Sequence, residues 1–323
     1  MENFKAMENM KRLETLCIAG AVAVLAVSCG KEEAVREDGA SKVGFTAAEL
    51  QVKTVFGEKA DGKYPVLWTS NEKVALFYNS QTGGGKTGGG QYADVLPSAD
   101  GHTAGFSASF TDDGNGSHSF YAMSPLSALN WMGNEDWDGN GVNEKILYAK
   151  IPYDQIPVPG TCDEKAQIVF AKEEFSEFPD KVDLTFSHMT AYGLITSLSL
   201  PEEATEIVGL TIESDKFLSG EIYCNYNTPE TILCNAETAL KYIYLDVNEG
   251  GLKAKTLENV FFACTPQTDG NDVFGEGDYL KFTVYTDTDT WVKTVNFSAD
   301  RTLAFKAGRI SSFSVSAHGF EKQ

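Results

Sequence analysis

Asp136, Asp138 and Asn140, followed by Gly141, set oxygen ligands at alternate positions with glycine sixth, the front half of a calcium-binding loop. Such a loop closes with a bidentate glutamate at its twelfth position, and that residue here is Leu147; Glu144, at the ninth, offers a partial substitute. An acidic, glycine-rich turn explains the same run, and the missing closure favours the turn. Gly85-Lys86-Thr87 has the tail of a phosphate-binding loop. Ser80 stands where its leading glycine is required, however, and no helix pattern follows to aim an N-terminus at a phosphate. His102, His118, His188 and His318 are scattered, with no i,i+4 pair and no HExxH run, so zinc hydrolysis has no support. Neither GxSxG nor a catalytic-cysteine signature occurs, which leaves acyl transfer without a nucleophile. A glycosidase needs two carboxylates about 5–10 Å apart. There are 46 acidic residues, and nothing singles out a pair. We therefore expect no enzyme activity and no cofactor. Trp68 and Trp291 read as core or sheet residues, whereas Trp131 and Trp137 read as one exposed loop that could stack on a sugar.

The remaining reactive group is the thiol of Cys29. Lys11 and Arg12 precede an apolar run from Leu16 to Val27 that ends at Ser28-Cys29. A basic start, roughly a dozen apolar residues and a small-residue exit describe a secretory signal. The run is too short for a stable span, which takes about 20 apolar residues. Residues 1–28 are thus expected to be removed by cleavage between Ser28 and Cys29. Leu25-Ala26-Val27-Ser28-Cys29 is similar to the lipobox of bacterial lipoproteins, in which diacylglycerol alkylates the cysteine before cleavage in front of it. A palmitate-type lipid anchor on Cys29 follows from that likeness; a plain secreted protein with an incidental Cys29 is the alternative. Lys31-Glu32-Glu33 is also similar to the Lys-acid-acid tag that sends some lipoproteins of anaerobes to the outer face of the outer membrane. The expected location is the cell surface, lipid-anchored.

Net charge is −20. Loss of residues 1–28 leaves it unchanged, because Lys5, Lys11 and Arg12 there balance Glu2, Glu8 and Glu14. Such a chain repels phosphate backbones, so nucleic acid is excluded as a partner. Beyond Cys17 and Cys29 the cysteines are Cys162, Cys224, Cys234 and Cys264, none in metal-type CxxC spacing. Cys224 and Cys234 flank a turn and could pair across a hairpin in an oxidising compartment. Buried thiols fit equally well, since cysteine packs as a small hydrophobe.

The elements that must position these residues read as strands. Val43–Ala47, Lys73–Tyr78, Ala104–Phe110, Ser117–Met123, Val182–Phe186, Leu194–Leu200, Val208–Glu213, Tyr242–Val247, Tyr279–Tyr285, Trp291–Phe297 and Ile310–Ser316 are short runs rich in Val, Thr, Phe and Tyr, mostly alternating. Their regular spacing between turn residues predicts an all-β chain built of β-sandwiches. The best helical stretch, Asp163–Phe178, is short and broken. Gly83–Gly90 reads as a mobile loop. Residues 29–42 read as a lipidated tether, with sandwich domains expected at 43–180 and 181–323, divided after the proline-rich segment Ile151–Pro159 and near Pro179-Asp180.

Several segments, in order, resemble the fimbrillin family of lipoprotein-derived pilus subunits. They are Thr54–Gly57, Leu67-Trp68 with Val74–Phe77, Phe120–Pro125, Ile151-Pro152 with Gln155 and Phe170-Ala171, Phe262–Pro266 and Phe305–Arg309. Leu184-Thr185-Phe186-Ser187-His188-Met189-Thr190-Ala191 is the most specific of the set. Two departures stand out: Trp68 is followed by Thr69-Ser70-Asn71-Glu72 and not by Gly-Asp, and no long strand-like extension follows Val315. The resemblance implies two tandem transthyretin-like β-sandwiches, no catalysis, and a structural or adhesive subunit of a type V-like fimbria. Its partners would be other fimbrial subunits and a host or bacterial surface ligand. Assembly would proceed by donation of a β-strand. The family's trypsin-like maturation maps onto Arg36, the only arginine between Cys29 and the strand at Val43. A cut there releases the tether and leaves that strand in place. For His188 the family pattern implies a packed structural residue. The rival expectation is a surface glycan-binding lipoprotein, for which the Trp131–Trp137 segment is the contact.

Overall fold

Along Ala104–Thr111 the side chains of Phe106, Ala108 and Phe110 point inward while Ser107, Ser109 and Thr111 point outward, as in a strand with one face on a core. The computed structural model describes residues 40–47, 55–56, 66–70, 73–79, 83–84, 90–136, 141–228, 231–266, 273–300 and 302–323. In chain order the strands of the first half are β1 (Ala40–Ala47), β2 (Val55–Phe56), β3 (Val66–Leu67), β4 (Lys73–Tyr78), β5 (Gly83–Gly84), β6 (Gln91–Asp94), β7 (Leu96–Pro97), β8 (Ala104–Thr111), β9 (His118–Ser124), β10 (Leu129–Glu135), β11 (Glu144–Ile151) and β12 (Asp154–Gln155). They continue as β13 (Val169–Phe175), β14 (Lys181–Leu184), β15 (Phe186–His188), β16 (Ala191–Ser199), β17 (Ile207–Ser214), β18 (Gly220–Asn225), β19 (Ile232–Cys234), β20 (Tyr242–Leu245), β21 (Thr256–Cys264), β22 (Tyr279–Thr286), β23 (Thr290–Asn296), β24 (Ile310–Val315) and β25 (Glu321–Lys322). Among the described residues the only helical elements are two 3₁₀ turns, Leu126–Ala128 and Glu164–Ala166. The protein is all-β.

Apart from the β2–β3 pair, the strands form five sheets, ordered β14-β1-β8-β7, β15-β13-β9-β4-β6, β19-β18-β11-β10-β5, β12-β20-β17-β22-β23-β25 and β21-β16-β24. The first two sheets enclose a core of Val43, Phe45, Phe106, Phe110, Phe120 and Val182. The opposite face of β4, β9 and β13 carries Phe77, Met123 and Phe170, which pack on Met132, Leu147 and Ile222 of the third sheet. The second sheet is therefore buried on both faces, and Val74–Tyr78 reads as an unbroken apolar run for that reason. A separate core joins β16 and β21 to β17, β20, β22 and β23 through residues such as Ile195, Phe262, Leu210, Ile243, Phe282 and Trp291.

Several expectations are corrected. As its broken pattern implies, Asp163–Phe178 holds no α-helix; after the turn capped by Asp163, whose carboxylate accepts from Lys165 N–H, the chain becomes β13, which no strand pattern had marked, and pairs with β9. Gly83-Gly84 forms β5 against Met132 and Trp131 of β10, so this part of the glycine cluster is strand. Trp131 itself lies in β10 and not on a loop. Two strands that follow residue 180, β14 and β15, pair with β1 and β13 respectively. β24 runs parallel to β16, with Val315 in the C-terminal core. No helix among the described residues is long and apolar enough to cross a membrane.

Candidate functional site

β1 sits between two partners. It runs antiparallel to β8, with Ala40 to Ala47 opposite Thr111 to Ala104, and parallel to β14, with Gly44 to Ala47 opposite Lys181 to Leu184. Period-two alternation puts Val43, Phe45 and Ala47 in the core and turns Gly44 and Thr46 to the other face. The Phe45 ring is stacked on Phe106 and meets Phe110 and Phe120 edge-on. Burial of side chains such as Val43 and Phe45 contributes about 1.5–3 kcal/mol each. On the outer face Thr46 Oγ1 donates to Asp183, which also pairs with Lys181 at 2.8 Å. Hydrogen bonds from Lys181 and then Thr46 hold the Asp183 carboxyl below its ordinary range. Where β1 ends, a surface recess of about 420 Å³ is lined by Thr46, Ala47, Leu96, Pro97, Ala104 and Asp183. Leu96, in the edge strand β7, is 70% exposed.

A polar cluster closes the opposite end of this first sandwich. The Tyr78 hydroxyl lies 2.7 Å from His118 Nδ1 and 3.0 Å from Asp113 Oδ1, and Asn79 Nδ2 donates to Asp113 Oδ2. Burial raises the Tyr78 phenol to about 12, and the Asn79 bond brings the Asp113 carboxyl down to about 2. Asp112, Asp113 and His118 offer ligand atoms within 4.8 Å of one another. Tyr78 and Asn79 already engage His118 and Asp113, so the cluster braces the turn between β8 and β9.

His188 is a structural residue. Thr190 Oγ1 donates to the Tyr192 hydroxyl, which is hydrogen-bonded to His188 Nδ1 at 2.9 Å. Gly308, at φ +67°, lies against the His188 ring so closely that a Cβ there would sit 2.7 Å from Cδ2.

The third sheet carries an aromatic row that sequence reasoning did not find. Trp131, Tyr148 and Tyr223 stand opposite one another on β10, β11 and β18. Their ring centroids are 5.6 and 5.2 Å apart in succession. The Trp131 indole lies over Gly133, where a Cβ would meet its ring at 2.2 Å. Glu135 accepts from the Tyr148 hydroxyl at 2.9 Å, and Glu221 accepts from the side-chain amides of Asn130 and Asn235. Burial raises both tyrosine phenols, Tyr148 further through its bond to Glu135. The outward alternation of Tyr148 and Tyr223 was the one signal available; their register was not.

The other sequence candidates are placed as follows. Ser28, Cys29 and Arg36 lie outside the described residues, as do Asp138 and Asn140. Asp136 accepts from Gly141 N–H at 3.0 Å, which is the behaviour of an acidic turn residue. Cys224 and Cys234 are not opposite each other: Cys224 faces Ile232 and Cys234 faces Ile222. Cys162, Cys224 and Cys264 are free thiols.

No family model matches the sequence, and no curated protein matches it. Among solved structures the chain is similar to a candidate cell adhesion protein from Bacteroides ovatus ATCC 8483, at 11% identity and TM-score 0.45, over 89% of this chain and 96% of that one. It is also similar to a candidate cell adhesion protein from Bacteroides fragilis NCTC 9343, at 11% identity and TM-score 0.42, over 88% and 97%. A fimbrial assembly protein from Parabacteroides distasonis ATCC 8503 aligns at 10% identity and TM-score 0.37, over 88% and 94%.

Proposed function

We propose that this chain is a structural, non-enzymatic subunit of a type V-like surface fimbria, displayed from a lipid-anchored outer-membrane precursor and assembled by β-strand exchange with other subunits. The observation that carries the reading is the seat of β1. That strand is short, lies at the start of the described chain, and contributes Val43, Phe45 and Ala47 to a core bounded by strands on both of its edges. Its departure would leave two rows of unpaired N–H and C=O groups and an apolar slot lined by Phe106, Phe110, Phe120 and Val182. A strand of matching alternation from another subunit would fill that slot by augmentation of the sheet. The recess beside Ala47 gives an incoming strand a place to begin. Division into two sandwich units belongs to the same reading: the core around Phe45 and the core around Phe282 are separate, while the third sheet draws its strands from both sides of residues 186–191.

In this reading a cut after Arg36 frees the tether, and displacement of β1 opens the slot. A chain beginning after Leu50 tests it by light scattering. Oligomers are expected, and a peptide of residues 40–47 should suppress them. A monomer as stable as the full chain would overturn the proposal.

A further inference from the structure

Asp-Gly-Asn-Gly occurs twice in the sequence, at residues 113–116 and 138–141, so an asparagine precedes a glycine at Asn115-Gly116 and again at Asn140-Gly141. Such an asparagine is open to attack by the next backbone nitrogen, because glycine puts no side chain over that nitrogen and lets the chain bend toward the carboxamide. The turn between β8 and β9 leaves the nitrogen free at the first copy. Asp112 Oδ1 accepts from Gly114 N–H at 2.8 Å, and Asp113 Oδ1 accepts from Asn115 N–H at 3.1 Å. The next N–H, that of Gly116, meets no acceptor among the described residues, and nothing lies within 4 Å of where a Cβ would stand. Residues 112–117 are all exposed, so water reaches the turn. At the second copy the equivalent N–H is engaged: Gly141 donates to Asp136 Oδ2 at 3.0 Å.

We propose that Asn115 is a site of spontaneous deamidation in the folded protein, and that its product loosens the turn at the Tyr78–Asp113–His118 end of the first sandwich. Gly116 N gives up its proton to solvent base and bonds to Asn115 Cγ; the Cγ–Nδ2 bond breaks and Nδ2 leaves as ammonia. Water then adds to either carbonyl of the succinimide and breaks its bond to the Gly116 nitrogen, which recovers a proton. The products are aspartate and isoaspartate, formed without oxidant or reductant. Either one sets a new negative charge beside Asp112 and Asp113, the carboxylates that hold the turn's own N–H groups, and like charges so close repel. After its bond from Asn79, Asp113 also takes one from the Asn115 side chain, and a carboxylate in that place has no proton to donate. Isoaspartate further routes the backbone through the side chain and lengthens the turn. The inference does not depend on strand exchange, and β1 takes no part in it.

The test follows incorporation of heavy oxygen from labelled water into the full chain, held in mildly alkaline buffer and read by mass mapping of its peptides. Labelling by isoaspartyl methyltransferase is the second readout. Asn115 should take up label about threefold or more faster than Asn140, the factor set by one hydrogen bond that must break at Gly141 before reaction. In urea, where the chain is unfolded, the two rates should converge. Asp136→Ala frees the Gly141 N–H and should raise the Asn140 rate toward that of Asn115 in the folded chain. Asn115→Asp makes one product directly and should lower the melting temperature at neutral pH by about 1–4 °C. Equal native rates at the two asparagines, a ratio that persists in urea, or an Asn140 rate unmoved by Asp136→Ala would each overturn the proposal. A melting temperature unchanged by Asn115→Asp would overturn its second half, the loosening of the turn.

Discussion

Phe45 and Phe106 face each other across the β1–β8 pair, their ring centroids 5.7 Å apart and their planes within 8° of parallel. The contact joins the one strand that strand exchange would remove to the wall that would remain. Phe45→Ala should therefore cost about 3–5 kcal/mol, as for other buried phenylalanines. Urea unfolding monitored by circular dichroism measures it; a loss under about 1 kcal/mol would mean that β1 is weakly seated and contributes little to the core.

Gly308 and Gly114 separate two contributions to glycine's necessity. Both have positive φ, +67° and +74°, but nothing lies within 4 Å of a Cβ at Gly114, whereas at Gly308 the His188 ring blocks it. Gly114→Ala should lose only the conformational part, about 1–2 kcal/mol. Gly308→Ala should lose more, because the ring must move and its bond to Tyr192 goes with it. Thermal melts of the two variants side by side give the comparison, and equal losses would refute the steric account.

Asp113 sets an acid limit on the first sandwich. Its carboxyl falls from 3.8 to about 2 on folding, chiefly through Asn79. Between those values the unfolded chain binds the proton and the folded one does not, so stability is lost as pH falls from about 4 to about 2. Asp113→Ala should show a shallower decline over that window. Identical pH profiles for the two proteins would show that the Asn79–Asp113 bond is absent in solution.

Cys162, Cys224 and Cys264 are buried, and burial raises each thiol well above its ordinary value. The thiolate is the reactive form, so all three should resist alkylation in the folded protein and react fully in denaturant. Mass mapping of labelled peptides reads this directly; rapid native labelling at any of the three would place that thiol nearer solvent than its strand allows.

Much of this was legible before any coordinates. β8 and β22 alternate without a break because one face of each meets solvent and the other a core. β13 was hidden, since Val169-Phe170-Ala171 is apolar on both sides and Lys172-Glu173-Glu174 follows at once, which leaves no period to read. β10 reads as a loop in the sequence because a register irregularity between Leu129 and Trp131 breaks its alternation and polar residues surround the tryptophan. The aromatic row lay out of reach for a different reason. Tyr148 and Tyr223 are brought together by pairing across distant strands, and no local pattern carries register of that kind.

The parallel pairing of β1 with β14 also sets an order of events. Thr46 and Asp183, which bond across that pair, are 137 residues apart in the chain. Contacts of such long range are closed late and slowly. As the chain is made, β8 becomes available to β1 well before β14 does, so the first strand waits half-held until Lys181–Leu184 has emerged. The element at the beginning of the described chain is thus held along one edge only until its second partner has been made.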